Sequence, residues 1–305
     1  MTKNTVKSET GLGIFLWKFF AYLIMAVFAF LAIGPIIWLF INSFKATVEF
    51  QSNMVGLPQH FYPQNYSGAW KIGNFSILFG NSILYTVLSV GIALFLSLLT
   101  GFAFAKLPFK ATKPIFSTFL LGILITTQTL MVPIFLQVTQ VDSLLGGFFQ
   151  KLGLCNAEKF HLFYNTKFGV ILIYVGSLLP IGVYLCTEYI KSIPTALVEA
   201  ARIDGAGYFR IFIAIIVPMT VPIIITLCLL NIPTIWNEFA LINILVSRLE
   251  LQSLPLGIYK FSGTLSSDYG KQFAALVIGL LPMLVFYIIF RKQITRSVGS
   301  GAVKG

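Results

Sequence analysis

Charged residues are scarce in this chain of 305 residues: they make up 10% of it, against 57% hydrophobic residues, and the mean hydropathy is +0.88. Soluble domains carry about 25% charged residues, so this balance excludes an ordinary soluble protein. The chain has only two histidines and ten acidic residues. Because these are mostly scattered through polar segments, they form no catalytic triad, metal-ligand cluster or carboxylate pair, and the sequence predicts neither an enzyme nor a metal site.

Cysteine is also scarce in this chain. The three cysteines, Cys155, Cys186 and Cys228, lie far apart, so we interpret them as buried thiols rather than as metal ligands or disulfide partners. A phosphate-binding G-x-x-x-x-G-K-[ST] sequence is absent as well, since the only Gly-Lys pair, at Gly270, is followed by glutamine. The chain is therefore not expected to hydrolyse ATP or to hold a cofactor itself.

Six long runs of sequence contain no Asp, Glu, Lys or Arg. Each is long enough to cross a bilayer as a helix, which takes roughly 20 residues. A transporter driven by protons or sodium usually places ionisable residues within the membrane, so it is a less favoured alternative here, although carbonyls and hydroxyls alone can hold sodium. We expect an all-α polytopic membrane protein with six transmembrane helices, over Phe19–Ser43, Ser76–Ala105, Ile115–Gln137, Phe168–Thr187, Ile211–Ile232 and Phe273–Phe290.

Basic residues predict the orientation. With the N-terminus inside, more of the 21 lysines and arginines fall in inner segments than in outer ones, and the short inner loop Lys106–Lys113 is rich in lysine. We therefore expect a multi-pass membrane protein with both termini in the cytoplasm, residues 1–18 forming an N-terminal arm and residues 291–305 a tail. The net charge of +11 is interpreted as charge facing anionic lipid rather than a nucleic-acid partner.

A polar hinge, Ile190–Pro222, separates the fourth and fifth runs. Ser192 and Pro194 predict the start of a short helix, and Gly205 predicts its end in a left-handed conformation. Between them one face carries small residues at helical spacing, with Glu199 and Arg202 beside it and three residues apart, as suits an ion pair. From spacing alone, the helix is either an ordinary connector or a plug for a groove on another protein.

The same residues resemble a known motif. Glu199-Ala200-Ala201, then Gly205, then Ile216 and Pro218 are similar to the EAA motif of ABC importer permeases (EAA, three residues, Gly, and later I-x-P). In that family this helix docks into a cleft of an ATP-hydrolysing subunit. The resemblance implies a type I ABC importer transmembrane fold over 76–290, preceded by a first helix over 19–43, with a cytoplasmic coupling loop over 188–210. It also implies coupling through Leu197, Glu199, Ala200, Ala201, Asp204 and Gly205.

Two further motifs strengthen the resemblance to the maltose-type, carbohydrate class of this family. The sequence WNEF is similar to the family's W-N-D/E-F signature at the outer mouth, which implies contact with an extracellular or periplasmic substrate-binding protein through Trp236, Asn237, Glu238 and Phe239. The chain ends in a sequence similar to the family's G-x-V-K-G, which implies contact of the tail with the ATPase subunits through Gly301, Val303, Lys304 and Gly305.

Polar side chains within the runs are neutral amides and hydroxyls. Such groups in hydrocarbon must be paired or face water, so they predict either a lined pathway or hydrogen bonds between helices. Our candidates for the substrate pathway are Thr127, Gln128, Ser177 and Asn231. By contrast, the outer segment Val141–Lys167, with Asp142, Glu158 and His161, is expected to be a solvated loop, and Glu188 is spaced to pair with Lys191.

The function implied by the resemblance is a permease subunit of an ATP-driven sugar or oligosaccharide importer in the bacterial cell membrane, forming half of the translocation pathway. Its implied partners are a second permease subunit, an ATP-binding cassette ATPase dimer that carries ATP and magnesium, the substrate-binding protein and membrane lipid. The alternatives are an ABC permease for another small solute, such as glycerol phosphate or a polyamine, and an ion-coupled secondary transporter.

Overall fold

The computed structural model describes residues 11–107, 109–153, 160–264 and 268–302, which form helices and connecting segments with no strand among them. The helices are α1 (Gly11–Asn42), α2 (Thr47–Ser52), α3 (Gln64–Ile72), α4 (Phe75–Lys106), α5 (Thr112–Leu124), α6 (Thr127–Lys151), α7 (Lys167–Lys191), α8 (Thr195–Ile203), α9 (Tyr208–Ile211), α10 (Val217–Met219), α11 (Val221–Trp236), α12 (Ala240–Leu245), α13 (Leu254–Thr264) and α14 (Tyr269–Ala302). A π-helical segment, Phe212–Ile216, joins α9 to α10, and a 3-10 turn, Leu249–Leu251, precedes α13.

Within the described residues, five helices are long and apolar enough to cross a membrane. A sixth span is formed if Tyr208–Met219 and Val221–Trp236 are counted as one helix bent by 71°. The bend falls at Thr220, between Pro218 and Pro222, where proline removes backbone donors and crowds the preceding turn. The prediction of an all-α membrane fold is confirmed.

The third predicted span, Ile115–Gln137, is not a single helix. The helix α5 ends at Leu124, and Thr126 adopts an extended conformation before α6 begins. The Thr126 and Thr129 hydroxyls hydrogen-bond each other at 2.9 Å, the kind of local polar contact that favours a new helix start over continuation. The break coincides with the polar cluster Thr126–Thr129, but such a cluster can also lie within a continuous span, so hydropathy alone could not show that the helix ends there.

The chain divides into two compact units, the first formed by Met1–Trp70 and Thr264–Ile278. Its buried centre follows the first span. The Asn65 amide donates to the carbonyls of Ser43 and Lys45 at 2.9 and 2.8 Å. The Lys45 side chain is itself buried and donates to the Asn53 carbonyl at 2.7 Å. Burial lowers the pKa of the Lys45 amine, although the nearby Glu49 carboxylate opposes this change.

The second unit comprises Lys71–Gly263 and Gly279–Gly305, and the pair α4 and α7 forms its centre. Glycine lets these two helices approach closely. A Cβ atom at Gly101 would lie 2.8 Å from the Cys186 Cβ, and one at Gly182 would lie 2.3 Å from the Ser97 Oγ. Cys186 is buried and Cys228 half-buried, as expected of apolar thiols, whereas Cys155 lies outside the described residues.

Two apolar clusters surround the α4–α7 pair. One includes Tyr85, Tyr174 and Leu178 with residues of α12. The other includes Phe102, Cys186 and Ile190 together with Val198 of α8 and Ile216 of the π-helical segment. Both clusters contain residues of α4 and α7, so these two helices link the region around α12 to the region around α8.

Candidate coupling helix and translocation cavity

The short helix α8 begins and ends where the sequence predicts. Pro194 occupies its N-cap position, and Gly205 has a φ of +82°. The N–H of Gly205 donates to the Arg202 carbonyl at 3.0 Å and the N–H of Ala206 donates to the Ala201 carbonyl at 2.9 Å. These two bonds form a Schellman C-cap, for which a positive φ and hence glycine are favoured.

Most of α8 is uncovered by its own chain. Val198 is its only buried residue, and Ala201 is half-buried against the neighbouring apolar cluster. The other predicted coupling residues are exposed: Leu197, Glu199, Ala200, Asp204 and Gly205. Ile203, which sequence reasoning did not select, is 86% exposed, and this value makes it the most prominent apolar side chain of the helix.

The predicted pairing of Glu199 with Arg202 does not form. The guanidinium of Arg202 instead stacks on the Tyr208 ring, 4.7 Å from its centroid, and donates to the Tyr208 hydroxyl. Tyr208 reaches Arg202 because the Schellman turn folds the chain back after Gly205, which spacing on a single helix could not reveal. The predicted Glu188–Lys191 ion pair does form, at 2.7 Å.

A cavity of about 460 Å³ lies among α6, α7, α11 and α12. It brings together two groups of predicted residues that are far apart in the sequence. Thr127, Gln128 and Ser177 of the predicted pathway line it, and so do Asn237, Glu238 and Phe239 of the predicted outer mouth.

Two predicted residues lie elsewhere. Asn231 is buried and is not among the residues that line this cavity. Trp236 is also buried, with its ring edge-on to Phe79 at 5.6 Å between centroids. Trp236 is therefore part of the helix packing rather than of the exposed surface.

Among the described residues, Glu238 is the one acidic residue that lines the cavity, and none of the lining residues is a lysine or an arginine. Its carboxylate accepts a hydrogen bond from the Tyr174 hydroxyl at 2.6 Å and from the backbone N–H groups of Leu241 and Ile242 at 2.6 and 3.2 Å. These N–H groups lie in the first turn of α12, so Glu238 caps that helix and ties it to α7. Sequence reasoning missed Tyr174, because its partner is 64 positions away.

The predicted outer segment Val141–Lys167 is only in part the solvated loop that we expected: His161 is exposed in a loop, but the start of the segment is not. Residues up to Lys151 continue α6, and Asp142 is buried. The Asp142 carboxylate accepts hydrogen bonds from the backbone N–H groups of Leu162, Phe163 and Tyr164 at 2.8–3.2 Å. It thereby fixes the chain that leads into α7.

Glu158 lies outside the described residues, and so do Val303, Lys304 and Gly305 of the tail, whereas Gly301 belongs to α14.

Among the described residues, no group of His, Cys, Asp or Glu could hold a metal ion. The structure thus consists of bundled apolar helices, a mostly neutral cavity and an exposed short helix. A model of the family described as "Binding-protein-dependent transport system inner membrane component" matches residues 93–298. This chain belongs to that family.

Permeases of this family include close matches over nearly the whole chain. The probable ABC transporter permease YurM of Bacillus subtilis is 30% identical over 97% of this chain and 89% of its own length. The probable starch degradation products permease AmyC of Thermoanaerobacterium thermosulfurigenes is 31% identical over 91% of this chain and 94% of its own length. A chain from a bacterial ABC transporter involved in alginate import shares the fold, with a TM-score of 0.73 at 20% identity over 95% of this chain and 99% of that one.

Membership in the permease family confirms the expected class: an inner-membrane component of a binding-protein-dependent ABC transporter. The matched region, 93–298, contains α8 and every residue that lines the cavity.

Proposed function

We propose that this chain is one of two permease subunits of an ATP-driven sugar or oligosaccharide importer, and that an ATPase partner moves it through α8. The observation that carries this proposal is the exposed face of α8, on which Leu197, Ala200 and Ile203 lack cover from their own chain. Exposed apolar surface on a short, well-capped helix is typical of helix-in-groove recognition. The partner would bind ATP and magnesium, and this chain would supply no cofactor.

The expected mechanism is alternating access. Closure of the ATPase dimer would displace α8, and the spans would open the cavity to the outside to receive cargo from a substrate-binding protein. Asn237 and Phe239 are exposed beside the cavity and are the candidates for contact with that protein. Trp236 would act indirectly, because it is buried. The tail residues Gly301, Val303, Lys304 and Gly305 would contact the ATPase, with both termini in the cytoplasm.

The cavity lining supports a neutral polyhydroxy cargo. Thr127, Gln128, Ser177 and Asn237 offer hydroxyl and amide groups that can donate or accept hydrogen bonds, and Phe239 offers an aromatic face. Its volume of about 460 Å³ lies within the usual range for small-molecule sites. The relative AmyC is named for starch degradation products, which are sugars of this chemical type.

A polyamine is the alternative cargo with an observation in its favour, because the Glu238 carboxylate lines the cavity. Three donors already satisfy that carboxylate, so it is a weaker cation site than a free one. An anionic cargo such as glycerol phosphate is disfavoured by the same carboxylate, since no cationic side chain lines the cavity to offset it. The three cargo classes are separated by measuring which of maltotriose, spermidine and glycerol 3-phosphate competes with the cargo for uptake by the complete transporter.

Gly205→Pro tests the coupling role. Proline fixes φ near −65°, which is incompatible with the φ of +82° at Gly205, so the C-cap of α8 would be lost. We expect normal membrane insertion but no stimulation of ATP hydrolysis by the loaded binding protein. Gly207→Pro is the matched control, since Gly207 has a φ of −70° and open space around it. Normal stimulation in the Gly205→Pro complex would contradict the role of α8.

A further inference from the structure

One lysine connects the start of α8 to the end of α4. Lys106 is the last residue of α4 and half-buried. Its ammonium donates to the Ile193 carbonyl at 2.5 Å and to the Thr195 hydroxyl at 3.3 Å. Ile193 lies in the short linker between α7 and α8, and Thr195 is the first residue of α8. A hydrogen bond from a charged donor is stronger than a bond between neutral groups.

The linker offers few other ways to hold α8. Pro194 has no N–H, so it cannot bond to the preceding turn of α7. The apolar anchors are the buried side chains of Ile193 and Val198 and the half-buried Ala201, which pack in the cluster that also contains Phe102 of α4. The bond from Lys106 therefore adds a polar, geometrically defined link to an otherwise apolar contact between α4 and α8.

The other end of this connection is the cavity. Tyr85 lies 21 residues before Lys106 on the same helix, about 30 Å away at 1.5 Å per residue. The ring of Tyr85 packs edge-on against Tyr174 at 6.5 Å between centroids, and Tyr174 donates to Glu238 in the cavity lining. A contiguous set of contacts thus runs from the start of α8 along α4 to the cavity wall.

We propose that Lys106 is a positioning residue that fixes α8 to α4, so that displacement of α8 by the ATPase moves α4 and, through Tyr85 and Tyr174, the cavity wall. This inference rests on the proposed coupling role of α8 and adds to it the route by which the motion reaches the cargo site. Spatial continuity alone does not establish coupling, so the test must measure motion at the far end.

The test uses the complete transporter with a reporter that needs no knowledge of the cargo. Thr234 lines the cavity, so the reporter is Thr234→Cys in a chain whose three native cysteines are replaced by alanine. The rate at which this single cysteine reacts with a charged methanethiosulfonate reagent reports how open the cavity is. Labelling is compared with ATP and magnesium and with ADP. We expect Lys106→Met to reduce the nucleotide-dependent change in labelling rate by about tenfold, which is in the range typical of coupling between sites. ATP hydrolysis in the absence of the binding protein should continue in this variant.

Three further variants make the result specific. Lys106→Arg keeps the charge and should restore most of the response, whereas Lys110→Met removes a neighbouring exposed lysine and should behave like the parent chain. Thr195→Val removes only the weaker acceptor and should give an intermediate response, which keeps the test informative if Lys106→Met does not assemble. An unchanged labelling response in Lys106→Met, or in Thr195→Val where the former does not assemble, overturns the inference. Failure of the parent chain itself to bind an ATPase or to respond to ATP would instead overturn the proposed function.

Discussion

The closest approach between α4 and α7 offers a stringent test of the packing. Gly182→Ala would place a Cβ atom 2.3 Å from the Ser97 Oγ and 3.1 Å from the Ser97 Cβ, well inside normal contact distances. Overpacking of this kind costs about 1–3 kcal/mol, although replacing glycine in a helix returns up to about 1 kcal/mol. The matched control is Gly176→Ala on the same helix, where no atom lies within 4 Å of the added Cβ. We expect the two variants to differ by about 1–3 kcal/mol in the free energy of unfolding.

Ser97→Ala should suppress this difference. The Ser97 hydroxyl is buried and has no hydrogen-bond partner among the described residues, so its removal should leave stability unchanged or raise it by about 1 kcal/mol. In the double variant only the tight 3.1 Å contact with Cβ remains, and most of the loss caused by Gly182→Ala should be recovered.

The measurement is thermal unfolding of the detergent-solubilised protein, followed by a maleimide dye that fluoresces on reaction with cysteine. Cys186 is buried against α4, so its thiol becomes reactive when the two helices separate. For a chain of 305 residues, a loss of about 2 kcal/mol corresponds to a fall of about 3 °C in the melting temperature. Equal melting temperatures for Gly182→Ala and Gly176→Ala, or no rescue by Ser97→Ala, would show that the helices are not packed as described.

Three further predictions concern polar contacts on either side of the spans. Asp142→Ala should lower stability by about 2–4 kcal/mol, more than Asp142→Asn, because buried backbone N–H groups lose their acceptor; melting temperatures of the two variants check this order. Asn165→Ala should be less stable than Asn165→Gly by about 1 kcal/mol, since Asn165 has a φ of 58°, and equal stabilities would refute this. Burial alone would raise the pKa of Asp268, but hydrogen bonds from Lys271 outweigh it and lower the pKa. The Asp268–Lys271 contact should therefore stabilise the fold above about pH 4 and be lost as the pH falls through the lowered pKa, a dependence absent from Asp268→Asn in pH-dependent melting.

Local signals in the sequence were sufficient for α8. Pro194 and Gly205 act through their own backbone preferences, so the start and end of the helix follow from residue type, and the exposure of Glu199 agrees with a hinge outside the membrane. The apolar spans were predictable for the same reason, because length and lack of charge are properties of the segment itself. The bend at Thr220 likewise follows from its flanking prolines.

Contacts between distant segments could not be predicted. The break before Thr127 falls at hydroxyl and amide side chains that could also lie within a continuous span, and a hydroxyl pair accompanies it in the structure. Asp142 resembles any loop carboxylate until the residues 20–22 positions later fold over it. The sequence draws attention to Glu238 through the WNEF motif, but only the packing of α7 against α12 reveals that Glu238 meets Tyr174.

The Schellman turn at Gly205 has a consequence for force transmission. A helix that ends in a right-handed conformation can lengthen by winding in the next residue, and it then absorbs a push along its axis. Here the chain reverses at a positive φ, and Ala206 returns its N–H to the last turn, so no further residue can be wound in without breaking two hydrogen bonds. Under compression along its axis, α8 would therefore keep its length and displace Tyr208–Met219.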